Sequence, residues 1–336
     1  MNNLHASLLA AGFATFALPS FAAQPPAPPP APPCVASDGY ICGQQGPEDL
    51  IPMGNDWAVA SAYAGTGGVT LIRIKDRMSI TAYPSSSGKD QHDATTYPAC
   101  PGPPRGAFTT HGVYVEPGRG PTYKLFVVGH GARESIEVFN VDARGATPTL
   151  TWIGCVIAPD PIGLNSVRSL PDGGFITTNF LPRNAQIDSL MSGAVNGELW
   201  EWHTKSGWQK VPGSEASGAN GIELSDDGKT IYMAAWGSQS FIRLSRGAAT
   251  PKREEIPLGF RIDNIHWAKD GKLLGAGQVG QDWRIVKIDA KTLKVDQLYA
   301  QDDKPGFGGG TVAMEVGNTF WVGSYRGDRI AIVPMR

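Results

Sequence analysis

Charge is scarce in this 336-residue chain. Asp, Glu, Lys and Arg make up 18 % of it, 31 acids stand against 29 bases, and no long run of Lys or Arg occurs. A nucleic-acid partner is therefore not expected, because a basic face would have to supply the affinity. The four cysteines, Cys34, Cys42, Cys100 and Cys155, include no Cys-x-x-Cys pair, which disfavours a zinc site. No Gly-x-Ser-x-Gly elbow is present, so a serine nucleophile of that kind is not expected. After residue 23 no apolar run reaches the length of about 20 residues that a membrane-spanning helix needs. Helical periodicity is missing too. Only "RNAQIDSLMSG" (183–193) is moderately helix-like, and it reads as a cap on a loop.

Glycine and proline are plentiful, 42 and 27 residues, which favours many turns and hence many short strands. The first 23 residues hold no acid, Lys or Arg, and "LLAAGFATFALPSFAA" is an apolar run ending in small residues. It reads as a secretory signal peptide over 1–23, cleaved near Ala22 or Ala23, and Pro19 interrupts the alternative of a membrane anchor. "QPPAPPPAPP" (24–33) follows as a polyproline-like linker that cannot pack a core. The expected product is secreted or periplasmic, with no stable membrane span after signal cleavage. An even cysteine count in an exported chain suggests two disulfides; of the three pairings, Cys34–Cys42 with Cys100–Cys155 is preferred.

From Glu48 onward one theme repeats: a strand, a polar turn, then a strand rich in β-branched and aromatic residues. Six copies stand out, at 49–63, 111–130, 166–180, 221–236, 265–277 and 311–325. Three carry Asp-Gly at the turn, a strong hairpin signal. With the further strands after several copies, each unit holds about four strands over roughly 40–70 residues, the period of propeller blades. The predicted fold class is all-β, a single six-bladed β-propeller over 34–336. A β-sandwich would not explain six copies of one hairpin.

In a propeller the first strand of each blade lines the central channel. Glu48, His111, Asn165, Asn220, and the pair Asp263 and Asn264 stand just before five of these strands. One Asn at a strand start is ordinarily a turn residue bonding its own backbone. Five repeats with such residues at one equivalent position point instead to a shared ion. Two carboxylates and three amides are hard oxygen donors, which suit Ca2+ better than zinc or copper. Five side chains would leave part of a calcium shell of 6–8 oxygens open to water or substrate.

These stretches also carry a likeness. "EDLIP", "HGVYV", "LFVVGH", "LNSVRSLPDGGFITTN", "ANGIELSDDGKTIY", "DNIHW" and "GGTVAM" fall in order from Glu48 almost to the C-terminus. Over that length the chain resembles the paraoxonases, which are calcium-dependent lactonases and arylesterases, and the wider gluconolactonase and senescence-marker-protein group of six-bladed propellers. The resemblance implies that Glu48, Asn165, Asn220, Asp263 and Asn264 ligate the catalytic calcium. It implies that His111 and His130 form a histidine pair that activates water. It also implies a second, structural calcium, held by Asp49 with a carbonyl from Val113. Two departures stand out: Ser166 replaces a family Asp at that second site, and no cysteine follows Cys155 to staple the chain ends.

The expected activity is calcium-dependent hydrolysis of a small-molecule lactone or aryl ester, the metal polarising the carbonyl. The alternatives are a sugar-lactone hydrolase of gluconolactonase type that does not use the His pair, and a non-catalytic propeller that calcium merely stiffens. His266, two residues past Asn264, shares the channel-facing side. Tyr114, Trp267, Phe307 and Trp321 are candidate pocket walls, and loops 81–110 and 181–196 are expected to shape the pocket.

Overall fold

The computed structural model describes residues 33–36, 39–84, 89–280, 282–301 and 307–335. The chain divides into two units, Met1–Pro30 and Ala31–Arg336. The first unit, the expected signal peptide over 1–23 and all of the expected linker except Pro33 lie outside the described residues.

Strands of alternating apolar and polar residues, punctuated by tight turns, build six antiparallel sheets from consecutive stretches of chain. The turn in "LSDDGKT" shows how the local sequence does this. Gly228 takes φ +66°, a conformation that costs a side-chain-bearing residue. Asp227 Oδ1 meanwhile accepts from Ser225 Oγ and the Lys229 N–H. The strands on either side must then pair in one register.

The sheets are six blades. Their innermost strands are Leu50–Met53, Phe108–Pro117, Leu164–Ser169, Ala219–Leu224, Arg261–Trp267 and Val312–Val316. Each packs against the next, and the last against the first, so the ring is closed. Blade 2 gains a fifth strand, Lys89–Asp90, parallel to the outermost Thr149–Ile157. Blade 6 is completed by the start of the domain: Tyr40–Cys42 adds antiparallel to Arg329–Pro334. Hydrogen bonds thus join the two ends of the domain, the task that no cysteine after Cys155 could perform. The expected disulfides both form. Cys34–Cys42 anchors the segment that closes the ring, and Cys100–Cys155 ties the excursion between blades 1 and 2 to blade 2.

The core lies between blades. Leu50, Ala58 and Ile72 of blade 1 pack on Val312, Met314 and Trp321 of blade 6. Tyr232 and Phe241 of blade 4 pack on Ile262, Ile265 and Val286 of blade 5. Trp152, Trp283 and Trp321 are essentially fully buried, and truncating any one to Ala would cost about 3–5 kcal/mol. This rigid ring is what fixes the six inner strands around one channel. Of the expected pocket walls, Tyr114, Phe307 and Trp321 are buried in the core, and Trp267 packs on the blade 4–5 cluster.

Candidate functional site

Four inner strands share one irregularity. Pairing with the second strand of the blade breaks between Thr110 and Val113, Leu164 and Val167, Ala219 and Ile222, and Ile262 and Ile265. Each break contains an expected site residue, at His111–Gly112, Asn165–Ser166, Asn220–Gly221 and Asp263–Asn264. The sequence placed these residues just before the strands; the structure places them inside, at a bulge. A bulge leaves residues unpaired and re-aims their side chains, which turns this position of each blade toward the channel. Neighbouring bulges touch. A Cβ on Gly221 would lie 2.6 Å from Asp263 O and 2.8 Å from Asn264 Cα, so only glycine lets blades 4 and 5 approach this closely.

The five expected ligands are all buried. Asn264 Nδ2 donates to Glu48 Oε1 at 2.7 Å, and Gln278 Nε2 donates to Asp263 Oδ2 at 2.7 Å. Asn220 also hydrogen-bonds Asp263. The N–H groups are therefore employed while oxygens are left over. Glu48 Oε2, Asn165 Oδ1, Asn220 Oδ1 and Asn264 Oδ1 are buried without any hydrogen-bond partner. Among the described residues only Asn196 Oδ1 and Ser217 Oγ share that condition. An orphaned buried polar atom costs about 1–3 kcal/mol, so four in one ring are a feature that a cation accepting oxygen donors would explain. The residues fit Ca2+ chemistry: amide and carboxylate oxygens, with no cluster of three His, Cys, Asp or Glu among the described residues.

Electrostatics point the same way. Burial, then the neighbouring Asp49, raises the Glu48 carboxyl well above its ordinary range. Burial, then Glu48, does the same to Asp263. Two carboxylates held together in a dry site resist ionisation unless a positive charge joins them.

Beside the ring the histidines form a relay. His111 Nδ1 lies 3.0 Å from His130 Nε2, and His130 Nδ1 lies 2.8 Å from Glu134 Oε2. Glu134 accepts the Nδ1 proton of His130, whose Nε2 lone pair then accepts from His111 Nδ1. That leaves His111 Nε2 as the acceptor, 3.2 Å from Asn165 Nδ2 and 3.5 Å from Glu48 Oε2. Burial, then His130, depresses His111 to about 3, so its imidazole is neutral. The Tyr63 ring packs on it at a tilt of 41°, with ring centroids 4.3 Å apart.

Asp49 stands differently. Its Oδ1 accepts the Leu50 N–H and lies 2.7 Å from His266 Nε2, and its Oδ2 accepts the Val113 N–H at 2.8 Å. Val113 thus presents an N–H where the resemblance implied a carbonyl. His266 Nδ1 faces Glu223 at 3.4 Å, and Glu223 in turn pairs with Arg168 at 2.8 Å. Burial opposes charge on His266, but Asp49 and Glu223 outweigh it and raise it to about 10. Both Asp49 oxygens are thus engaged by His266 and two backbone N–H groups, an arrangement that does not fit a second cation there.

Above the ring opens a cavity of about 440 Å3, with Glu48, His111, Asn165, Asn220 and Asp263 in its lining. One wall is apolar: Phe180, and Ile187 and Met191 of the 183–193 stretch, whose only helix is Asp188–Met191. Trp236 adjoins it, its ring edge-on to that of Phe180 with centroids 5.6 Å apart, and Arg261, Tyr325 and Arg326 complete this part of the lining. The 181–196 loop shapes the pocket as expected, whereas no described residue of loop 81–110 is in its lining. Sequence reasoning missed Glu134, Tyr63, Gln278 and the two arginines. Glu134, an acid four residues after His130, was the one with a readable signal.

No family model matches the chain, and no curated protein sequence matches it. Solved structures do. A luciferin-regenerating enzyme aligns at 16 % identity over 87 % of this chain and 91 % of its own, with a TM-score of 0.56. A protein named as a candidate gluconolactonase aligns at 12 % identity over 88 % and 91 %, with a TM-score of 0.54. The PQQ-bound aldose sugar dehydrogenase of Streptomyces coelicolor aligns at 14 % over 88 % and 96 %, with a TM-score of 0.54. At these identities the likeness is one of fold, and it agrees with the propeller group that the sequence resembles.

Proposed function

We propose that this chain is an exported, calcium-dependent hydrolase of lactones or aryl esters. The observation that carries the reading is the ring of orphaned oxygens on Glu48, Asn165, Asn220 and Asn264, set beside a histidine pair at the floor of one cavity. Asp263 completes the ring. Ca2+ held by these five residues would polarise the substrate carbonyl and stabilise the developing oxyanion.

The chain's own residues handle the proton. A water in the cavity gives its proton to His111 Nε2 as its oxygen attacks the carbonyl carbon. His111 is a poor place for the resulting charge, since burial holds it near 3. Its Nδ1 proton passes to His130 Nε2, and the imidazolium comes to rest on His130, facing Glu134 at 2.8 Å. Two histidines are needed because one must be dry enough to meet the substrate and the other must be paired to hold the charge. The proton then returns to the leaving oxygen as the tetrahedral intermediate collapses.

The wall of Phe180, Ile187, Met191 and Trp236 favours a partly apolar substrate over a polyhydroxylated sugar lactone. Export is supported by the residue 1–23 pattern and by two disulfides, which persist in oxidising compartments. Metal analysis of purified protein, with a lactone and ester screen with and without chelator, tests the reading. Turnover that survives full chelation, and is unchanged in Asn220→Ala, would overturn it.

A further inference from the structure

Arg261 and Arg326 both line the cavity, and neither pairs with a carboxylate among the described residues. Each guanidinium lies over an aromatic ring. The Arg261 guanidinium lies 4.4 Å from the Trp236 ring centre and that of Arg326 lies 4.7 Å from the Tyr325 ring centre. Arg261 Nη1 also donates to the carbonyls of Trp236 and Gly237 at 3.4 and 3.3 Å. Stacking fixes a guanidinium while leaving N–H edges free to meet a planar anion in a forked contact.

The platform under Arg261 is tied to the donor ring. Trp236 Nε1 donates to Gln278 Oε1 at 2.9 Å, and Gln278 Nε2 donates to Asp263 Oδ2 at 2.7 Å. Arg261 and Gln278 are also register partners on adjacent strands. The distance from this arginine to the ring is thus set by strand pairing and two hydrogen bonds. The charges are unbalanced as well. Among the described residues the other charged lining groups are Glu48 and Asp263, which together match one divalent ion and leave two guanidinium charges over.

We infer that Arg261 and Arg326 form a carboxylate clamp, and that the preferred substrate is a lactone or ester bearing a carboxylate beside its scissile carbonyl. The apolar lining of Phe180, Ile187 and Met191 receives the rest of the molecule. This deepens the hydrolase reading and rests on it for its kinetic test, while binding is read separately.

The test uses the calcium-loaded full chain and two compounds: a γ-lactone carrying a carboxylate, and the same lactone with a carboxamide in its place. The wild-type protein is expected to favour the carboxylate by about tenfold or more in kcat/KM, with the preference shrinking as salt rises. In Arg261→Gln/Arg326→Gln the ratio falls to about one, whereas Arg261→Lys/Arg326→Lys retains part of it. Melting temperatures confirm that the variants fold. A wild-type ratio of one, or a preference that survives in the Gln pair, overturns the clamp. A stronger preference for the lactone carrying a phosphate monoester overturns the carboxylate assignment. If neither compound is hydrolysed, the hydrolase reading fails instead. Calorimetric binding of the same pair then decides the clamp: a carboxylate preference lost in the Gln pair supports it, and equal affinity overturns it.

Discussion

Glu134 lies against His130 on the side away from the cavity: Oε2 is 2.8 Å from Nδ1, while Oε1 accepts the Leu164 N–H at 2.6 Å. The carboxylate is clamped by the backbone of blade 3 and orients a histidine of blade 2. It fixes the tautomer of His130 and, through it, the direction in which His111 receives a proton.

His111→Gln is expected to lower kcat by about 10²–10⁴-fold. Glu134→Gln keeps an acceptor for His130 but removes the charge. It should reduce kcat by a smaller factor and shift the limb of the kcat/KM profile that reports the relay. Rate against pH for the three proteins is the measurement. A wild-type profile in Glu134→Gln would remove Glu134 from the relay.

Asn220→Ala deletes one orphaned oxygen. Calcium affinity is expected to fall by about tenfold or more, and with it the rise in melting temperature that a fixed excess of calcium produces. Trp236 lines the same cavity, so its fluorescence during a calcium titration gives the affinity directly.

Gly221→Ala touches no ligand side chain, yet its Cβ would fall 2.6 Å from Asp263 O and from Ile265 N. One of the two bulges must move. The expected outcome is weaker calcium binding with an unchanged set of ligands, together with a lower melting temperature.

The folded protein without metal holds Glu48 and Asp263 above the ordinary carboxylate range. In the unfolded chain both ionise near pH 4. Above that pH the folded state binds more protons, so these groups contribute stability that is lost as pH rises. His111, depressed to about 3, acts oppositely below about pH 6.5 and adds no slope above it. Calcium reverses the carboxylate effect because it replaces the protons. The difference in melting temperature between calcium and chelator should therefore widen from about pH 5 to about pH 8. A constant difference would count against carboxylate ligation.

Asp49→Ala strands His266 and two backbone N–H groups in a buried position. Losing one member of such a buried pair costs about 3–5 kcal/mol. Urea unfolding should show this loss, and the gap between variant and wild type should be the same with and without calcium. A gap that opens only in calcium would revive the second metal site.

Much of this was legible because a propeller repeats. Asn220 alone is an ordinary strand-start residue. Set against Asn165 and Asp263 at the same place in neighbouring repeats, it marks a channel mouth. The bulges were not legible, since inner strands such as Ala219–Leu224 are buried on both faces and carry no clean alternation for an extra residue to interrupt. Nor was the fate of Asp49. The likeness gave it a metal, and only the placement of His266, 217 residues away, gives that oxygen a side-chain partner instead.

The sequence by itself determined the strands, their turns, the number of blades and the polar residues that five of the blades bring to the axis. Those depend on local alternation and on glycine conformations. The tertiary structure alone decided which oxygens remain without partners, which acid orients His130, and which cavity Arg261 and Arg326 line. Those depend on contacts between blades, such as Asn264 with Glu48 across 216 residues, and a hydrogen bond of that span is written only when the ring closes.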